Sequence, residues 1–350
     1  MVSYFDSHSR GERFVSRGET VRALATQIRE KKLTTIYAPP GYGKKTVVEK
    51  AVNSVFPGSS SASLITLDLF NITSTAELCA LYVKALKKRI EDYNRDALFP
   101  IPVDLEHLSL RTTINLPDMV AGFSGANYVV YFKEFQNILN LDGWEQLLKM
   151  MEKEMPRHVN VAYIITGEQV NAMKYIFETK KFFFESNCNI HLAPLDKKES
   201  VTYLRNGFLR NGKDMEEETG ERLYLAARGY PMFINRLAAI CDNIAPGYIN
   251  KRILGSAIDI WLNEHEPLYR YTTSSLTANQ VNFLRAVCDG VERFSSSEVL
   301  KQYRLNSSAN VFRLKEALQN KEIVTFDADD KAGLIDPMFE LWLKKRYFAK

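Results

Sequence analysis

The chain is poor in the residue patterns that most site chemistry requires. Its four cysteines, Cys79, Cys188, Cys241 and Cys288, lie far apart with no pair at metal-ligand spacing. That excludes a zinc ribbon or a disulfide scaffold and reads as free thiols in a reducing compartment. The five histidines are scattered, with no triad or metal arrangement around them. No apolar run is long enough to span a bilayer, and the N-terminus lacks the basic-then-apolar order of a secretion signal. A cytoplasmic protein without a membrane partner is the expectation. Neither sign of charge dominates: 46 Lys and Arg against 42 Asp and Glu leave a net +4. Such a lean does not by itself imply nucleic acid. What is present is an ordinary globular composition, 45% hydrophobic and 25% charged over 350 residues. That is enough chain for two or three domains with real cores.

One stretch carries most of the chemical information, Thr34 to Lys50, TTIYAPPGYGKKTVVEK. A β-branched and aromatic run enters a Pro/Gly loop, and a helical pattern follows. Strand, glycine loop and helix in that order describe a phosphate-binding loop, in which backbone N–H groups and a helix N-terminus face an anion. The consensus G-x-x-x-x-G-K-[ST] falls on Ala38 to Lys45. Pro40, Gly41, Tyr42, Gly43, Lys44 and Lys45 are thus the candidate nucleotide-binding residues. Lys45 stands where a hydroxyl normally holds Mg²⁺. Thr46 comes one residue late, so its side chain leaves the helix about 100° away. ATP or ADP is the expected ligand.

Beyond the loop, buried strands alternate with helices. Strands are expected at Ser63–Leu69, Tyr128–Phe132, Val159–Thr166 and Asn189–Leu192, with helices over Glu19–Lys31, Thr75–Tyr93 and Gly143–Met155. Residues 1–13 read as a poorly ordered arm and residues 97–118 as an irregular insertion. Alternation of this kind implies a parallel sheet with helices on both faces. From Asp196 the pattern becomes wholly helical, and Tyr271–Leu276 reads as a short Thr/Ser linker. The last 75 residues give three helices, a two-stranded piece and a final aromatic helix, the pattern of a winged helix-turn-helix. The expected architecture is an α/β P-loop NTPase domain over 1–195, a helical lid over 196–272 and a winged helix-turn-helix domain over 273–350.

Several short motifs in this order resemble one family, the archaeal-type ATPases within the STAND/AAA+ group of P-loop NTPases. They are the segment Arg13–Glu19 ahead of the loop, Lys133-Glu134-Phe135-Gln136, Thr166-Gly167-Glu168, Gly229-Tyr230-Pro231 and Asp336-Pro337-Met338-Phe339-Glu340-Leu341-Trp342. The resemblance covers about residues 13–347. It implies that Glu134 would polarise the attacking water, that Thr166 would sense the terminal phosphate, and that Arg17 and Pro231 would border the nucleotide. Arg228 is a further candidate for reaching phosphates.

The departures from the family pattern bear on activity. Lys133 replaces the aspartate that organises Mg²⁺, and the segment Phe182–Cys188 holds no candidate finger arginine. Both metal positions are therefore lysines, unable to build an oxygen shell for Mg²⁺. Lys44, Lys45 and Lys133 are expected to converge on one volume with Glu134 as the only compensating charge, substituting for the metal. The leading expectation is a nucleotide-responsive switch with absent or very weak hydrolysis and an unidentified protein partner. The alternatives are a slow ATPase and a DNA-binding regulator. For the latter the charge is thin: from Leu276 to Lys350 there are 12 Lys/Arg against 10 Asp/Glu.

Overall fold

The computed structural model describes residues 4–5, 17–96, 100–101, 104–105, 107–327 and 329–349. The chain forms two compact units, Arg17–Leu192 and Ala193–Lys350, the second taking in the N-terminal segment.

The first unit runs α1 (Gly18–Arg29), β1 (Leu33–Tyr37), α2 (Lys44–Val55), a single turn α3 (Ser60–Ser63), β2 (Leu64–Asp68), α4 (Thr75–Asp96), α5 (Leu110–Ser124), β3 (Tyr128–Lys133), α6 (Trp144–Glu154), β4 (Val161–Gly167), α7 (Val170–Lys174) and β5 (Asn187–Asn189). Its five strands lie in the order β2-β3-β4-β1-β5, all parallel. β1, β3 and β4 are β-branched and aromatic with hardly a polar break, as strands covered on both faces must be. Ile65, Leu67, Val130, Phe132, Tyr163 and Ile165 share one core with Leu78, Tyr82, Leu116 and Leu147 of the helices. Ile36, Val129, Ala162 and Ile164 alternate to the opposite face and are equally buried. There α1 and α2 pack on each other and α1 on β1 and β4. Because the strands are parallel and β4 lies between β1 and β3, the C-terminal ends of these three meet at one edge, where ligands of such sheets bind.

Two expectations need correction in this unit. Residues 110–118 are not irregular but belong to α5, a 15-residue helix with Pro117 inside it. A proline in the sequence reads as a breaker. Here the Ser109 hydroxyl, accepting from the Thr112 N–H at 3.1 Å, starts the helix, and Pro117 is buried in its packed face. Residues 97–99, 102–103 and 106 lie outside the described residues. The last strand is Asn187–Asn189, in register with Leu33–Thr35, instead of the more apolar Asn189–Leu192. Backbone pairing at the sheet edge, not side-chain burial, defines it.

The second unit runs α8 (Lys197–Arg210), β6 (Asp214–Met215), α9 (Glu217–Ala227), α10 (Pro231–Ile244), β7 (Tyr248–Ile249), α11 (Lys251–Ser274), α12 (Ala278–Cys288), α13 (Ser297–Gln302), α14 (Ser308–Asn320), the antiparallel strands β8 (Val324–Phe326) and β9 (Ala332–Leu334), and α15 (Pro337–Trp342). The expected linker at 271–276 is mostly helix, since α11 continues for 24 residues to Ser274. The hydroxyls that suggested a linker bond back to the helix instead. Thr272 donates to the Leu268 carbonyl at 3.0 Å and Thr273 to that of Tyr269 at 2.9 Å. One core then runs from Leu204 and Leu223 through Trp261 and Tyr269 to Phe339 and Trp342. The helical segment and the winged helix are one body.

Tyr4 and Phe5 also belong to this core, where a loose arm was expected; the rest of residues 1–13 lies outside the described residues. Phe5 lies 4.8 Å from the Phe208 ring and 5.8 Å from that of Tyr203. Gly207 makes the room: a Cβ there would collide with the Phe5 ring and fall 2.6 Å from that of Tyr4. Burying one such ring contributes about 1.5–3 kcal/mol, enough to offset ordering one or two residues of backbone.

Candidate phosphate site

The loop between β1 and α2 spans residues 38–43, with Pro40 and Gly41 exposed and Tyr42 buried. Gly41 and Gly43 take φ of 71° and 89°, a left-handed backbone that other residues adopt only under strain. Gly43 ends the loop as the residue before α2, so the first-turn amides of a 12-residue helix open at the sheet edge. Arg17 braces the loop from α1's start. Its guanidinium lies 5.2 Å over the Tyr42 ring and donates to the Tyr42 carbonyl at 3.3 Å. Arg17 thus shapes the loop through Tyr42.

Lys44 is the buried cation of the site, 6% exposed. Its ammonium donates to the Ala38 carbonyl at 2.8 Å and the Pro39 carbonyl at 2.9 Å, and lies 3.2 Å from Glu168 Oε1. Burial pushes it below the ordinary lysine range, while the charges of Glu168 and Glu134 pull it back. Glu134 follows β3 with φ 53°, a left-handed non-glycine residue. Its carboxylate accepts from Gln136 Nε2 at 2.8 Å, and desolvation raises its pKa above the usual range. The other end of the Gln136 amide, Oε1, accepts the Glu168 N–H at 3.3 Å. Gln136 is buried and ties Glu134 to Glu168; sequence reading passed over it. Gly167 leaves it space, since a Cβ there would come 2.8 Å from Gln136 Oε1.

The two other lysines do not converge on Lys44. Lys45 is 71% exposed and its Nζ lies 3.7 Å from Glu49, one helical turn on. Lys133 pairs with Asp68 at 2.5 Å, because the parallel register places Asp68 of β2 opposite Lys133 of β3. For Asp68, burial acts upward, but the hydrogen bonds from Lys133 and the Phe70 amide outweigh it and hold the carboxyl low. The expected self-repelling cluster with Glu134 as sole counter-charge is therefore corrected: each lysine has an acid of its own. Thr46 is half-buried on α2. Thr166 is buried and turns sideways, donating to the Phe132 carbonyl at 3.3 Å with the Tyr131 hydroxyl at 3.2 Å.

These residues fit one implied group and not the other. Left-handed glycines, open helix amides and a buried lysine suit the phosphates of a nucleotide. Mg²⁺ needs oxygen ligands, and the two positions that would supply them carry ammonium groups. Among the described residues no three His, Cys, Asp or Glu are grouped to hold a metal.

Pro231 starts α10 in the second unit, after Gly229 with φ 71°. The Gly229 carbonyl accepts from the Leu195 N–H at 3.0 Å, and a Cβ on Gly229 would come 2.8 Å from Pro194. Tyr230 donates its hydroxyl to the Ile335 carbonyl at 3.0 Å, and Arg228 pairs with Glu340 of α15. Arg228 is thus engaged within its own unit.

Known structures place the fold. A Walker-type ATPase of Pyrococcus abyssi superposes with a TM-score of 0.70 at 19% identity, over 97% of this chain and 99% of that one. The fold is that of a Walker-type ATPase. The Aeropyrum pernix ORC2 protein, solved as ADPNP–ADP complexes, follows at a TM-score of 0.64 and 13% identity, over 99% and 98% of the two chains. The ORC1 protein of the same organism, solved in complex with DNA, gives 0.53 and 13%, over 99% and 96%. Residues 267–345 match a family described as a probable winged helix domain. No curated protein matches the chain. No helix among the described residues is long and apolar enough to cross a membrane.

Proposed function

We propose that this chain is a nucleotide-responsive switch of the STAND type: it binds ATP or ADP through its phosphate loop and hydrolyses it very slowly or not at all. The observation that carries this reading is the fate of the two metal positions, where Lys45 and Lys133 are held by Glu49 and Asp68. Phosphates would be held by Lys44 and by backbone amides from Gly41 to Lys45, the only part of the site that suits a polyanion. A bound nucleotide supplies the phosphoryl group. The residues here supply its positioning, and Glu134 beside Gln136 is the carboxylate available to orient water. Transfer lacks the cation that aligns and neutralises the phosphates, and Phe182–Cys188 offers no arginine in its place.

The output of such a switch is the second unit, in which lid helices and winged helix share one core. A protein partner suits that surface better than DNA. Lys315 of α14 is committed inside the unit, 4.6 Å over the Phe326 ring and 2.5 Å from Asp330, while Phe312 of the same helix is 69% exposed. Phosphate release under saturating ATP and Mg²⁺ tests the reading. Turnover well below the ordinary enzymatic range of about 1 s⁻¹ is expected. Turnover in that range, abolished by Glu134→Gln, makes the chain an active ATPase.

A further inference from the structure

Lys44 has three acceptors, one for each ammonium proton: the carbonyls of Ala38 and Pro39 and the carboxylate of Glu168. No donor of this lysine is left over for a phosphate. One of the three contacts has to break when an anion arrives. The two carbonyls belong to the loop that leads directly into Lys44. Glu168 comes from the end of β4 and is 35% exposed, with solvent to turn into. Its backbone is fixed independently, by the hydrogen bond from its N–H to buried Gln136. Its carboxylate is further disfavoured where it stands by Glu134, which the same Gln136 holds nearby.

We propose that Glu168 is a built-in competitor for phosphate at Lys44, so that nucleotide binding and release of the Glu168 carboxylate are one event. This rests on reading Gly41–Lys45 as a phosphate loop. In the empty site Glu168 neutralises a buried cation whose other nearby acid is Glu134. In the filled site it is a displaced negative charge beside a polyphosphate. Glu168 therefore stabilises the empty protein and weakens the complex, two effects of opposite sign. It sets the nucleotide concentration at which the switch responds.

The experiment compares the natural chain with Glu168→Gln and Glu168→Ser, each with and without Lys44→Ala. ADP is titrated by calorimetry, and thermal midpoints are recorded without ligand. Glutamine keeps the size of the side chain and the backbone contact to Gln136; serine removes the acid with less bulk should glutamine disturb folding. Both are expected to bind ADP about tenfold more tightly, the size of one charge-assisted contact, while the ligand-free midpoint falls. A merely structural residue would lower midpoint and affinity together. Unchanged or weaker affinity in both variants, with binding still lost on Lys44→Ala, overturns the competitor and leaves the phosphate loop standing. Binding untouched by Lys44→Ala in every background overturns both.

Discussion

The edge of the sheet at Lys44 and the joint between Gly229–Pro231 and Asp336–Trp342 are built from the same kind of material, short motifs that mark the chain as ATPase-like. They use it in opposite ways. At the sheet edge the motif residues are charged and each cation is held by a partly exposed acid: Glu168 for Lys44, Asp68 for Lys133, Glu49 for Lys45. The exposed pairs of Lys45 and Lys133 contribute about 0–1 kcal/mol, and at buried Lys44 an arriving anion can replace the acid. At the joint rings and carbonyls carry the packing, beside the Arg228–Glu340 pair. Trp342 is 2% exposed, with its ring 5.7 Å from Tyr269 and 6.1 Å from Phe339. Dispersion and burial have no competitor in solution. The first region is made to change partners; the second is made to stay as it is.

Two substitutions separate these modes. Trp342→Ala empties the largest fully buried side chain of the second unit and is expected to cost about 3–5 kcal/mol in urea unfolding. Nucleotide affinity should hold within about twofold, measured under conditions where the variant is folded. A cost near that of a surface substitution would make the joint as loose as the sheet edge. At the small end stands Lys45→Ala. It should change stability by no more than about 0.5 kcal/mol and leave affinity within about twofold, since the Lys45 ammonium faces Glu49 and solvent. A large loss of affinity would return that side chain to the phosphate site.

The same contrast explains what could be read from the sequence. The first four strands of the sheet, the helices after Asp196 and the winged helix followed from hydrophobic period, because burial of whole faces fixes them. The loop glycines and Lys44 followed from motif spacing, because only a left-handed backbone closes there. What escaped was set by single contacts, some within one helical turn and some between distant residues. Thr272 and Thr273 bond inward and extend α11 through an apparent linker, and Ser109 starts a helix ahead of a proline. Tyr4 and Phe5 find their pocket only because Gly207 leaves it open. At the site, the Asp68–Lys133 pair depends on strand register, which local sequence does not encode. Gln136 stands in the Lys133–Gln136 motif, but its tie between two acids depends on the fold that brings Glu168 beside it.

The central claim is that nucleotide is held by Lys44 and the loop amides without a metal, and the most direct test is ATP titrated calorimetrically into the natural chain in Mg²⁺ and again in EDTA. The dissociation constants are predicted to agree within about twofold, because residues 45 and 133 offer a cation no oxygen. Binding confined to Mg²⁺, or weakened tenfold or more by EDTA, would contradict the account and make this an ordinary metal-dependent phosphate loop.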